Sequence, residues 1–233
     1  MKHSAYDLNT RKIIGGEALV RWKHSKLGMV SPAVFIPVLE KNGYITKLDQ
    51  YIWEEVCKTI RLWLDQGLRP VPISCNVTKT DILAMDVNEV FEDLIKKYRI
   101  PPRGLEIEIS QKAYMEARDT TSREEEMLRE NGFRVVLDGF DGDYIGLNIP
   151  EKFEADAMKL DLRAINNNIG AINGIFSQGR ELGIDISVEG IESMEQLSAL
   201  RKAGCLEGQG YYFSKPVSVD EFIAMVKGEK NEK

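Results

Sequence analysis

Six segments of this chain that read as strands each carry a carboxylate, an amide or a lysine at or near their ends. IIGGEALVRW, PVPISCNVT, GLEIEIS, FRVVLDGF, DAMKLDL and GIDISVEG deliver Glu17, Asn76, Glu108, Asp138, Lys159 and Glu189. Glu17, Asn76, Glu108 and Asp138 are hard oxygen donors from four separate strands, the kind of set that Mg²⁺ or Mn²⁺ prefers. Glu189 could add a ligand for a second ion. Lys159, beside an attacking water, could orient the nucleophile or steady developing negative charge. Asp161 shares its strand face by period-two alternation. Arg21 shares a face with Glu17, where a guanidinium can grip a phosphate. Metal-assisted hydrolysis of a phosphoryl ester is the reaction class that uses all of these groups. A purely structural role for the whole set is disfavoured, because buried charges are costly unless they are paired or bind a metal.

Stretches with helical periodicity separate the strands, and that alternation is the signature of an α/β barrel, whose chemistry sits where the strands end. Leu48, Ile52, Val56, Ile60 and Trp63 fall on one helical face. Ser31-Pro32 opens a short helix, Asp81 to Tyr98 reads as one amphipathic helix, and Arg123 to Glu130 as a charged one. Ser193 with Gln196, and Ser218 with Glu221, form capping boxes. The run Asn166-Asn167-Asn168 is poor helix material, so the helix near it is expected to start late.

The 233 residues suit one barrel and leave no room for a second sizeable domain. A hydrophobic fraction of 43% with 29% charged residues is ordinary for a globular chain. A formal charge of −6 argues against a nucleic-acid footprint, which needs a basic stripe. No apolar run is long enough for a membrane span, and MKHSAYDLNTRK lacks the apolar core of a signal peptide. Cys57, Cys75 and Cys205 are scattered and odd in number, which points to buried, reduced thiols in a cytoplasmic setting. Trp22, Trp53 and Trp63 read as packing residues, His24 as a hydrogen-bonded loop residue, and Glu106 as a structural polar group on the face of Glu108.

Seven strands can be counted when GQGYYF is included. Closing an eight-stranded barrel needs one more, and Ala5 to Leu8 is the candidate, as the remnant of a truncated first strand. The expectation is therefore a single domain over residues 1–233 with a frayed tail at 228–233, cut from a longer protein and cytoplasmic, whether or not that protein is membrane-anchored.

The motifs in order resemble those of the EAL family of bacterial cyclic di-GMP phosphodiesterases. Glu17-Ala18-Leu19 with Val20-Arg21-Trp22 is similar to its signature. The segment from Pro32 to Glu40 resembles P-x-x-F-I-P-x-x-E, and Asn76-Val77-Thr78 resembles N-x-[ST]. Glu108-Ile109-Ser110 resembles E-I-T, Lys159-Leu160-Asp161 resembles K-[IL]-D, Glu189-Gly190 with Glu192 resembles E-G-x-E, and Gln209-Gly210-Tyr211 resembles Q-G-Y. The resemblance implies a TIM-like (β/α)8 barrel with its first strand antiparallel. It also implies a two-metal hydrolase that uses Mg²⁺ or Mn²⁺ to open cyclic di-GMP to pGpG. Glu17, Asn76, Glu108 and Asp138 would hold the first metal, with Asp138 bridging to a second near Glu189. Lys159 would contact the attacking water, Arg21 a substrate phosphate, and Gln209 would support water or metal. Homodimers are common in that family.

One departure stands out. The family's D-D-F-G-T-G-Y reads Asp138-Gly139-Phe140-Asp141-Gly142-Asp143-Tyr144 here, so Gly139 replaces an aspartate that would bind the second metal. Gln111 replaces a loop-steadying glutamate, keeping hydrogen bonds but losing charge assistance. These changes suggest weak or absent turnover, unless Asp141 or Asp143 substitutes for the missing carboxylate. The alternatives are a non-catalytic cyclic di-GMP receptor and a degenerate protein-interaction module. A Schiff-base aldolase built on Lys159 is chemically conceivable but disfavoured, because oxygen donors around that lysine would keep it charged.

Overall fold

The computed structural model describes residues 1–140, 155–163 and 169–228. The chain opens with a hairpin of β1 (Lys2–Asp7) and β2 (Ile13–Ala18). A second hairpin, β3 (Trp22–His24) with β4 (Gly28–Val30), leads into α1 (Pro32–Lys41) and the long α2 (Ile45–Asp65). Next come β5 (Ile73–Val77), α3 (Lys79–Ala84), α4 (Val87–Tyr98) and β6 (Leu105–Ser110). They are followed by α5 (Gln111–Glu116), α6 (Arg118–Glu130), β7 (Arg134–Phe140) and β8 (Ala157–Asp161). The described chain closes with α7 (Ile169–Leu182), β9 (Asp185–Glu189), α8 (Met194–Ala203), β10 (Glu207–Gly208) and α9 (Val219–Val226).

All of these strands except β3 and β4 close into an eight-stranded barrel. β1 lies between β2 and β10 and is antiparallel to both. The remaining neighbours in the barrel are parallel. Alternation along each strand decides what faces where. On β6, Leu105, Ile107 and Ile109 point out to the helices and are buried there, while Glu106 and Glu108 point in. The outward side chains join the buried stripe of α2 (Trp53, Val56, Cys57, Ile60 and Trp63) in the larger hydrophobic core. Each such large apolar side chain contributes roughly 1.5–3 kcal/mol of burial free energy. A second core lies where α7 and α8 cover Leu160 and Val188.

The inside of the barrel is polar. Ser74, Glu106 and Arg134 are register neighbours across β5, β6 and β7. The Arg134 guanidinium lies 2.8 Å from Glu106, 3.0 Å from Asp185 and 3.7 Å from Glu207, and Ser74 Oγ donates to Glu106 at 2.8 Å. This ionic layer fills the end of the barrel where the parallel strands begin, so Glu106 is structural, as its sequence position suggests.

Several boundaries differ from the sequence expectation. The first strand runs Lys2–Asp7, starting three residues before the expected Ala5, and is antiparallel as expected. It is hard to read because Lys2 and Ser4 are buried on its outer face, which leaves no apolar alternation. GQGYYF is not a strand: pairing stops at Gly208, and the chain then turns, with Tyr212 N–H donating to Ile191 O at 3.0 Å. Gly210 sits so close to that neighbour that a Cβ would fall 2.1 Å from Ile191 O, so a glycine is required there. The helix expected from Asp81 to Tyr98 is two helices, because Asp86 caps a new start by accepting from Glu89 N–H. α6 begins at Arg118 instead of Arg123. Both C-terminal capping boxes form as expected. Asn166 to Asn168, Asp141, Asp143 and the tail from 229 lie outside the described residues.

The three cysteines are free and buried, and burial raises their thiols well above the usual range. No helix among the described residues is long and apolar enough to cross a membrane.

Candidate active site

At the other end of the interior the strands deliver a second polar layer. Register places Asn76 beside Glu108, Ser110 beside Asp138, and Asp161 beside Glu189. Lys159 rises from β8 into the middle. Its Nζ lies 2.5 Å from Glu108 Oε1, 3.1 Å from Glu189 Oε1 and 3.7 Å from Glu17 Oε2. Gln209, just past β10, donates through Nε2 to Glu189 at 2.6 Å and to Glu17 at 3.1 Å. Asn76 Nδ2 donates to the other Glu17 oxygen at 3.3 Å. Six of the residues singled out from the sequence therefore form one network.

Its electrostatics follow from burial. Burial would strip the proton from Lys159, but the carboxylates of Glu108, Glu17, Glu189 and Asp138 outweigh it and hold the ammonium firmly charged. Burial raises Glu108, Asp138 and Glu189 above the usual carboxylate range; Lys159 opposes this, and repulsion from Glu17 adds to it. Burial would raise Glu17 too, yet the Lys159 charge and the Gln209 and Asn76 hydrogen bonds bring it below its ordinary value.

The remaining site residues take different places. Asp138 is near enough to feel Lys159 and Glu17 but is not among the carboxylates within 4 Å of the ammonium. Asp161 is engaged by Arg163, through Nη2 at 2.7 Å and Nε at 3.0 Å. Arg21 donates from Nη1 to its neighbour's carbonyl, Val20 O, at 2.7 Å. It lines a cavity of about 230 Å³ together with Glu17, Glu189 and Gln209.

That cavity also holds His3, Arg163, Glu192 and Tyr211, to which the sequence reading gave no role. His3 is the register partner of Glu17 across the β1–β2 hairpin, so a correct first strand would have revealed it. Its Nε2 lies 3.2 Å from Ser214 O, and burial lowers its pKa. His24 makes the hydrogen bonds expected of it, Nδ1 accepting from Lys26 and Leu27 N–H at 3.1 Å, but it is the last residue of β3 and not a loop residue. Trp53 and Trp63 pack in the core, and Trp22, though 46% exposed, packs edge-on against Phe35 and His24, so all three are the packing residues expected.

Hard oxygen donors dominate the upper layer, and Glu108 Oε2 is fully buried without a hydrogen-bond partner among the described residues. A buried carboxylate oxygen left over in this way fits a divalent cation by its chemistry. Among the described residues, however, no three carboxylate, histidine or cysteine side chains are already spaced to hold a metal. The carboxylates close on the Lys159 ammonium instead. Gly139 has φ of +78°, and among the described residues a Cβ placed there would meet no atom within 4 Å.

A family model described as "EAL domain" matches residues 3–216. The bifunctional diguanylate cyclase/cyclic di-GMP phosphodiesterase MucR of Pseudomonas aeruginosa is 27% identical over 92% of this chain and 32% of its own length. The signaling protein YkoW of Bacillus subtilis is 27% identical over 93% of this chain and 28% of its own. The chain thus spans about a third or less of the length of these relatives. Among solved structures, the PaMucR phosphodiesterase in complex with c-di-GMP superimposes with a TM-score of 0.87 at 26% identity, covering 95% of this chain and 92% of that one. An EAL domain protein of Listeria monocytogenes gives 0.80 at 26% identity, covering 95% and 89%.

Proposed function

Because the chain belongs to the EAL domain family, we propose that it is a cyclic di-GMP phosphodiesterase domain that retains nucleotide binding and hydrolyses slowly or not at all. The observation that carries this reading is the convergence of Glu17, Asn76, Glu108, Lys159, Glu189 and Gln209 beside a cavity lined by Arg21. The c-di-GMP complex of the similar PaMucR phosphodiesterase supports the choice of ligand.

Glu17, Asn76, Glu108 and Asp138 would hold one Mg²⁺ or Mn²⁺, with Glu189 toward a second. A bound divalent ion would polarise the phosphodiester and lower the pKa of the attacking water. Lys159 is held as a cation, so it would donate hydrogen bonds and offset negative charge on the phosphate oxygens, and it would not remove a proton. The same charge argues against a Schiff-base role, which needs the free amine. Gln209 fixes the facing carboxylates of Glu17 and Glu189, which sets their spacing across the barrel. Arg21, on the cavity wall, would grip a substrate phosphate. Asp161 would contact substrate only if Arg163 released it.

Gly139 supports slow turnover, because it offers no side chain where the family pattern has a carboxylate. If clamping by the second ion supplies several kcal/mol, its loss costs ~10³-fold or more in rate. A pure receptor is the second reading, favoured by the same residue. Binding and pGpG formation, measured together at micromolar protein with Mg²⁺ and separately with Mn²⁺, decide between them. Binding with slow pGpG formation supports the proposal as a weak phosphodiesterase, and binding with none supports it in the receptor form. Absence of binding overturns both in favour of a protein-interaction module.

A further inference from the structure

The geometry points to Trp53 as a positioning residue for Asn76: its indole N–H holds the Asn76 peptide and thereby aims the amide side chain into the site. Trp53 lies in the middle of α2, is fully buried and packs on Phe91 with ring centroids 4.7 Å apart. Its Nε1 donates to Asn76 O at 3.0 Å.

That carbonyl occupies a weak point of the barrel wall. On one side Asn76 pairs with Glu108, but on the other the β2–β5 register ends at Glu17 opposite Ser74, two residues short of Asn76. The indole stands where ladder support has run out. The side chain of Asn76 cannot supply that support itself, because its contact with Glu17 is a long 3.3 Å. Without the indole the peptide plane is freer to rotate, and the carboxamide moves with it.

α2 also faces the same segment at a second point. Asp49, one turn before Trp53 and on the same helical face, lies near Asp81, and burial together with the Asp81 charge raises its pKa to about 8. Asp81 accepts from both Thr78 N–H and Thr78 Oγ1 and completes the cap of α3. The segment from Asn76 to Asp81 thus faces one helix at two points a turn apart, and the hydrogen bond that holds it there is the one from Trp53. Outer partners of this kind orient the groups that touch a ligand, and their loss commonly weakens metal binding 10–100-fold.

The inference rests on Asn76 being a metal ligand, and its test separates the two claims. Trp53→Phe keeps an aromatic ring against Phe91 and removes the N–H. Site-specific replacement of Trp53 by benzothienylalanine removes the N–H at nearly unchanged shape, which keeps the test valid if the phenylalanine variant folds poorly. Mn²⁺ affinity is read by electron paramagnetic resonance, and the Asn76 side-chain amide by NMR without metal, with Asn76→Ala as the reference. We expect at least ~10-fold weaker Mn²⁺ binding, displaced Asn76 side-chain amide signals, and unmoved signals from the distant Asn131. Displaced signals with Mn²⁺ binding insensitive even to Asn76→Ala would uphold the positioning and overturn the ligand assignment. Unmoved Asn76 signals, or Mn²⁺ binding unchanged in both Trp53 variants but lost in Asn76→Ala, would overturn Trp53 as a positioning residue.

Discussion

Lys159 Nζ and Glu108 Oε1 meet at 2.5 Å inside the barrel, and the glutamate is fully buried. The lysine's charge balances Glu108, Glu189 and Glu17 together, so its removal leaves buried carboxylates uncompensated. Lys159→Met is expected to cost ~3–5 kcal/mol of stability at pH 8, the range for breaking a buried pair. The loss should shrink at lower pH, where the stranded carboxylates take up protons. Urea unfolding at pH 5.5 and pH 8 checks both statements, and equal losses at the two pH values would refute the account.

Glu17 binds Gln209 with one oxygen and Asn76 with the other, besides facing Lys159. Glu17→Ala should therefore abolish metal-dependent binding of cyclic di-GMP. Calorimetric titration with Mn²⁺ present is the measurement, and undiminished affinity would remove Glu17 from the metal-binding set.

Among the described residues none would meet a Cβ at Gly139 within 4 Å, while φ of +78° penalises a side chain by roughly 1 kcal/mol. Gly139→Asp should lose that much stability yet raise pGpG formation at least ~10²-fold, if the missing carboxylate is the main defect. Chromatographic assay of pGpG with a parallel thermal melt reads both. No gain in rate would shift the defect to the rest of the loop or to Gln111.

Asp49 faces Asp81 on α3 and Glu40 on α1, and burial followed by these like charges raises its pKa to about 8. A carboxyl raised in the folded state stabilises fully below its unfolded pKa, and that contribution is lost as pH rises through the folded value. Between pH 5 and pH 8, stability should fall by up to ~1.4 kcal/mol per pH unit from this group. Asp49→Asn, which keeps a neutral donor, should flatten the slope. Denaturant midpoints across that window test it; an identical slope in the variant would place the proton elsewhere.

Arg134 plugs the opposite end of the barrel against Glu106, Asp185 and Glu207. Asp185 is largely exposed, so Arg134→Met should cost less than a fully buried pair, ~2–3 kcal/mol. Cyclic di-GMP affinity should stay unchanged at temperatures where the variant is folded. A selective loss of binding would show that the plug reaches the site.

The sequence alone determined the alternation of strands and helices, and hence the barrel. It also supplied the residues that meet at the strand ends, because strand period and donor type are local properties. Glu108 points inward for the same reason that Leu105, Ile107 and Ile109 point outward. What the sequence could not reveal depended on pairing between distant segments. Lys2–Asp7 lacks apolar alternation, so β1 and the placement of His3 opposite Glu17 emerged only when the barrel closed around them. The helix expected from Asp81 to Tyr98 breaks at the Asp86 cap, a local choice that amphipathic periodicity hides. Tertiary structure also decided that Lys159 centres on Glu108, Glu189 and Glu17, that Arg163 engages Asp161, and that Trp53 hydrogen-bonds Asn76. A strand pattern specifies which way a side chain points, but the stagger of neighbouring strands and the helix packed behind them set which groups meet.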